Sequence, residues 1–203
     1  MDVTAQLDAA RHLSRIGRYD DAIARYNTVL EEDQNNTIAL EQKGEVYYAL
    51  GRHEDAIACY DLALSIDPRL VTVLYEKGYT LRKIGRYEEA IACFNRALAL
   101  DPDNAMVRAN RGYALIALRR FDEALPCFER ILTDSPNNIR AMAAKAISLR
   151  ELGRNAEALA AFDHAISLNP INSFVWQNRA ETLRRLGRVT EAEESLRHVQ
   201  GGF

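Results

Sequence analysis

The chain has 203 residues, 48% of them hydrophobic and 27% charged, with a formal net charge of −3. That length and apolar share are enough to bury a core, while the charge lacks the basic excess that phosphate binding requires, which argues against nucleic acid as a partner. The opening MDVTAQLDAARHL has no basic region followed by an apolar run, no stretch approaches the roughly 20 apolar residues of a membrane span, and three widely spaced cysteines do not make a disulfide framework. A soluble, cytoplasmic protein with no membrane partner is expected.

Self-comparison finds a fixed period. Gly17, Gly51, Gly85, Gly153 and Gly187 are spaced by 34 residues or twice that, and Arg119 takes the missing place. The period divides the chain into units at 3–36, 37–70, 71–104, 105–138, 139–172 and 173–203, expected to form a single array.

Each unit predicts two helices. In the first, Ala10 stands on the first helix and Ala22, Ile23, Tyr26 and Leu30 on the second; in the second unit Leu40, Gly44, Ala56, Tyr60 and Pro68 keep the same phase. In the third, Val73, Leu74, Lys77, Gly78 and Leu81 recur at helical spacing before Gly85, which can take the positive φ of a helix end. RYEEAIACFNRALALDP then opens with acidic residues, runs Ala90, Ile91, Phe94, Ala97 and Leu98 down one face, and stops at Asp101-Pro102. The fourth unit has Arg119 for glycine and Pro126 about one turn into its second helix, so distortion is expected there. The fifth repeats the pattern with Ala146, Ala158 and Phe162. In the sixth, Glu193 and Gln200 replace apolar residues, followed by Gly201-Gly202, which suggests a terminal repeat facing water. No period-2 segment competes, so the fold class is all-α, and the short connections require antiparallel helix pairs.

The columns say how the helices meet. Gly44, Gly78 and Gly112, aligned with Ala10, Ala146 and Ala180, leave room for a close helix approach; Tyr26, Tyr60, Phe94, Phe128 and Phe162 fill the space beside it. The pattern Leu40, Lys43-Gly44, Tyr47, Ala56, Tyr60, Pro68, repeated as Leu74, Lys77-Gly78, Leu81, Ala90, Phe94, Pro102, resembles the tetratricopeptide repeat over nearly the whole chain. The resemblance implies a right-handed superhelical solenoid whose first helices line a concave groove, with peptide binding as its usual work. One departure is a run of bases, Lys43, Lys77, Arg111, Lys145 and Arg179, where the family has leucine; their stems can cover the core while the charge reaches water.

Subtracting the core stripe from each first helix leaves an inner stripe. The candidate groove residues are Tyr48, Tyr75, Tyr79, Arg82, Met106, Asn110, Tyr113, Ile116, Arg140, Ile147, Arg150 and Phe174, with Glu41, Glu45 and Arg184 at further inward positions. Tyrosine and methionine there suit an extended or helical segment, and the arginines suit acidic groups on it. The family's carboxylate clamp is mostly absent, and Asp8, Gln42, Glu76, Asn110, Ala144 and Asn178 keep only fragments of an asparagine ladder.

Three other constellations have plainer explanations. Cys59, Cys93 and Cys127 recur once per unit and read as packing residues, so no metal site is expected. Arg18, Arg52, Arg86, Arg120, Arg154 and Arg188 form an edge ladder, read as solvated turns with acidic neighbours before an anion-binding strip. His12, His53, His164 and His198 stand in different columns with no nucleophile and carboxylate arranged about any of them, so neither catalysis nor a cofactor is expected. The expected function is a non-catalytic scaffold binding a peptide or protein segment, and the alternative is a self-associating protein forming homo-oligomers through groove or edge contacts.

Overall fold

The computed structural model describes residues 2–200, without the side chain of Gln200. Among the described residues there are twelve α-helices and no strands. They form six pairs: α1 (Val3–Arg15) with α2 (Tyr19–Glu32), α3 (Thr37–Ala49) with α4 (His53–Ile66), α5 (Val71–Lys83) with α6 (Tyr87–Leu100), α7 (Ala105–Ala117) with α8 (Phe121–Asp134), α9 (Ile139–Glu151) with α10 (Asn155–Leu168), and α11 (Ser173–Arg185) with α12 (Val189–Gln200). Three residues separate the members of a pair and four separate one pair from the next, too few for anything but a reversal of direction at each step. Residues up to Val107 make one compact unit and those from Arg108 a second.

The helix ends repeat because their chemistry repeats. Asparagine caps most of the first helices: the side-chain oxygens of Asn36, Asn104, Asn138 and Asn172 accept from the amides of Ala39, Val107, Ala141 and Val175 at 3.0–3.3 Å. Asp2 caps α1 through Thr4, whereas Leu70, at the start of α5, offers no side-chain acceptor. Each first helix then ends in a left-handed residue. Gly85 has φ +82°, and Arg119 adopts φ +59° in the same role. Its amide donates to Ile116 O at 2.9 Å and that of Arg120 to Leu115 O at 2.9 Å, matching Gly51 to Tyr48 and Arg52 to Tyr47. The expected distortion is therefore not seen: a side chain occupies a glycine conformation with the turn intact, and α8 runs unbroken across Pro126, an exposed residue.

Second helices share another device. Each opens on an arginine whose guanidinium pairs with the acid three residues on: Arg18–Asp21 at 2.6 Å, Arg52–Asp55 at 2.7 Å, Arg86–Glu89 at 2.6 Å, Arg120–Glu123 at 2.5 Å, Arg154–Glu157 at 2.7 Å and Arg188–Glu191 at 2.6 Å. The acid lies in the first turn, where the helix dipole favours negative charge.

Large side chains pack against small ones as the columns predict. In the first unit the core is built from Leu40, Tyr60, Val73, Leu74, Leu81, Phe94 and Val107, with Leu7, Ala10, Ala22, Tyr26 and Val29 forming a cluster under α1 and α2. A Cβ on Gly78 would stand 2.6 Å from the ring of Phe94, and one on Gly44 2.5 Å from that of Tyr60. The second unit buries Leu125, Met142, Leu149, Phe162 and Val175, and then Leu159, Ala180, Leu183 and Ala192. Each fully buried leucine or phenylalanine contributes about 1.5–3 kcal/mol relative to exposure. Hydroxyls within this core satisfy themselves by donating back one turn, as Thr80 does to Glu76 O at 2.8 Å and Ser148 to Ala144 O at 2.9 Å.

The bases in the leucine column do more than cover the core. Lys77 on α5 pairs with Asp61 on α4, Lys145 on α9 with Glu129 on α8 at 3.4 Å, and Arg179 on α11 with Asp163 on α10 at 2.6 Å. Each such pair ties a first helix to the second helix of the preceding repeat.

At the far end, Glu193 is exposed, while the side chain of Gln200 and residues Gly201-Gly202 lie outside the described residues.

Candidate functional site

In the first unit, α3 and α5 bring several of the sequence-predicted residues together. Tyr48 on α3 and Tyr79 on α5 have ring centroids 5.8 Å apart, and Tyr75 lies 5.9 Å from Tyr79 one turn away. All three are half-buried, so part of each ring remains exposed. His53 sits 5.3 Å from the ring of Tyr48, and the Arg82 guanidinium covers Tyr79 at 5.1 Å. Met106, at the start of α7, is 59% exposed. Tyr75, Tyr79 and Arg82 share a side of α5 because positions three and four apart stack on one side of a helix, and Tyr48 and Tyr75 also pack against the core cluster.

Beside the tyrosines lies a group whose combined meaning sequence reasoning missed. Glu41 and Glu45 on α3 and Glu76 on α5 each place a carboxylate oxygen within 4.8 Å of the others. Burial, the Glu45 carboxylate, a hydrogen bond with Glu45 and the charge of Glu41 push the Glu76 carboxyl up to about 8. Burial also raises Glu45, although its hydrogen bond with Glu76 works the other way. Both shifts run toward the protonated form, as expected where two carboxyls meet. Glu41 and Glu76 are 35 residues apart, one repeat and one position, which places them in different columns; reading each column separately hides their meeting.

In the second unit the candidate residues have more varied surroundings. Tyr113 is half-buried against Phe128, with ring centroids 5.3 Å apart, and Ile147 packs against the core cluster beneath α9. Ile116 is half-buried and Arg140 exposed, while Phe174, on α11, is 54% exposed. Asn110 and Arg150 are buried, each with 9% exposure. Arg150 donates to the main-chain oxygen of Asn178 at 3.3 Å and to its side-chain oxygen at 3.1 Å, and pairs with Glu151 at 3.2 Å. Arg185 reaches the same Glu151 at 2.8 Å and the Arg150 main-chain oxygen at 3.3 Å. Arg150 therefore ties α9 to α11.

The remaining constellations are held by the fold. Cys59, Cys93 and Cys127 are buried free thiols, and burial raises the pKa of each, the reverse of what a nucleophile or metal ligand needs. Along the arginine ladder, hydrogen bonds from the guanidinium hold the carboxyls of Glu89, Glu123, Glu157 and Glu191 below their usual range, so each cation is answered by its own neighbour. A cleft of about 210 Å³ in the second unit is lined by Asp163, Ile166, Trp176, Arg179, Glu194, Ser195 and His198. Ser195 there is buried, donating to Glu191 O at 2.8 Å and accepting from Arg179 at 2.6 Å, while His198 stacks on Trp176 at 4.1 Å. The serine proton is thus committed to a carbonyl, which cannot act as a base.

Comparison with known proteins agrees with this architecture. Tetratricopeptide repeat models match residues 36–103, 75–139, 139–172 and 161–194, together running from 36 to 194. No curated protein matches the chain. Among solved structures, a tetratricopeptide repeat protein from Parabacteroides merdae aligns with a TM-score of 0.85 at 21% identity, over 97% of this chain and 78% of that one. MamA aligns with a TM-score of 0.78 at 26% identity, over 83% and 92% of the two chains. YrrB, a tetratricopeptide repeat protein with an unusual peptide-binding site, aligns with a TM-score of 0.75 at 24% identity, over 86% and 90%. The 34-residue helix pairs, the glycine and alanine contacts and these matches together establish that the chain belongs to the tetratricopeptide repeat family.

Proposed function

We propose that the chain is a non-catalytic interaction scaffold that binds a peptide or protein segment on the faces of its first helices left free by the core, with the six repeats working as one array. The observation that carries this reading is the contact among Tyr48, Tyr75 and Tyr79, three half-buried rings that stay partly exposed although Tyr48 and Tyr75 also pack against the core. Rigid aromatic side chains with a polar tip lose little entropy on binding and are favoured anchors at interfaces. The peptide-binding site of YrrB, which has a similar fold, supports the same assignment. In the second unit, Tyr113, Ile116, Arg140, Ile147 and Phe174 supply the corresponding surface, and Asn110 and Arg150 act beneath it. The chain's buried thiols fit a reducing, cytoplasmic setting.

Peptides selected from a random library against the purified chain provide the test. Replacing Tyr79 and Tyr113 together by alanine should weaken their capture by about a hundredfold, the loss typical of two interface anchors, with the circular dichroism unchanged. Unaltered binding by the folded double variant would place the site elsewhere.

Self-association is the second reading. It is favoured by Ile171 and Phe174, which are 70% and 54% exposed near the start of α11. Light scattering that changes with concentration, and loses that dependence when both are made serine, would support it.

A further inference from the structure

In the first unit three carboxyls crowd together, and none of them is in an ion pair among the described residues. Glu41, Glu45 and Glu76 converge within 4.8 Å, and the Oε2 atom of Glu76 is shielded from solvent with no hydrogen-bond partner among the described residues. Arg11 pairs with Asp8 at 3.0 Å while its charge also lowers Glu45, and Arg82 lies against the ring of Tyr79. Crowding of this kind persists at a stability cost unless an opposite charge relieves it.

The tyrosines show what kind of opposite charge the face suits. Tyr79 is three positions from Glu76 and four from Tyr75, so on α5 it joins the tyrosine rings to the carboxylates. Ring faces attract alkylammonium and guanidinium groups, and carboxylates accept their hydrogen bonds. A bare divalent ion would use the carboxylates alone and leave the rings without a role.

We propose that the α3–α5 face receives a lysine or arginine side chain of the bound segment, its charge taken by Glu41, Glu45 and Glu76 and its stem by Tyr75 and Tyr79. This rests on the reading of the tyrosine face as the binding surface, and it makes the partner of the first unit basic. The arginine stripe inferred from the sequence had suggested acidic groups on the partner; in this unit the surface charge favours the opposite.

The test pans a phage library of random peptides, about twelve residues long, against the full chain and measures the enriched peptides by fluorescence anisotropy in buffer containing EDTA. The enriched peptides should share a lysine or arginine. Replacing it with norleucine or citrulline should weaken binding about tenfold or more, as should the combined variant Glu41→Gln, Glu45→Gln and Glu76→Gln. The peptide-side substitution needs no change in the chain, so it decides the matter even if the triple variant folds poorly. Enriched peptides without a shared base, equal binding after both substitutions, or binding that EDTA abolishes would overturn the proposal. Peptides that tolerate both substitutions but are lost with Tyr79→Ala and Tyr113→Ala would sink the charge assignment alone; peptides indifferent to the tyrosines as well would sink the surface with it.

Discussion

Arg119 holds a left-handed backbone that its five counterparts hold as glycine. A side chain there costs about 1–2 kcal/mol in local sterics. Its compensations are a 3.6 Å ion pair from an exposed guanidinium to Glu151, which already pairs with Arg150 and Arg185, and a contact with the Phe121 ring at 5.5 Å, both of small worth. Arg119→Gly should therefore raise stability by about 0.5–1 kcal/mol, readable as a higher midpoint in urea with an unchanged slope. Glu76 presents the opposite case, a functional-looking residue with a stability cost. Its carboxyl is raised from 4.5 to about 8, so between those values the folded chain binds more protons than the unfolded one. Stability contributed by this group is therefore present below pH 4.5 and lost as pH rises toward 8. The groups facing it are Glu41 and Glu45 from α3 and Tyr60 from α4, with Arg11 of α1 acting on Glu45. Thermal melts should find Glu76→Gln more stable than the parent at pH 8, by about 1–3 kcal/mol, with little difference at pH 5. An advantage at pH 5 instead would mean that the carboxyl is ionised in the folded chain.

At the scale of the element, the helices were legible because the same columns recur: Ala22, Ala56, Ala90, Ala124, Ala158 and Ala192 mark one face in every second helix, and averaging over repeats removes the ambiguity of any one. The asparagine caps at 36, 104, 138 and 172 were equally periodic and could have been found the same way. Cross-repeat pairings were not legible. Whether Arg150 faces a partner or Asn178 depends on the rotamer of a long side chain and on a neighbour 28 residues away, and the periodicity of α9 is indifferent to both. The candidate site was legible to the same extent: the faces followed from helical spacing, but not the meeting of Glu76 with Glu41. Because Arg150 joins α9 to α11, Arg150→Met should cost about 1–3 kcal/mol by leaving the Asn178 acceptor unmet. Peptide affinity in the folded variant should change little. A stability loss within error, accompanied by weakened capture, would return Arg150 to the binding surface.

For the molecule as a whole, stability in a repeat chain is a sum of local terms and nearest-neighbour contacts, so weak points need not be shared evenly. Five of the six first helices begin with a side-chain acceptor, and α5 begins with Leu70. Hydrogen exchange should accordingly be faster at the Val73 amide than at the equivalent Ala39, Ala141 and Val175 amides, each of which donates to an asparagine. Equal protection at all four would show that packing alone secures the start of α5. The first helix whose opening turn lacks a side-chain cap is thus the one bearing Tyr75, Glu76 and Tyr79. A chain built of near-identical parts has one opening turn that differs from the rest, free to loosen while Leu74 and Leu81 beneath it stay sealed.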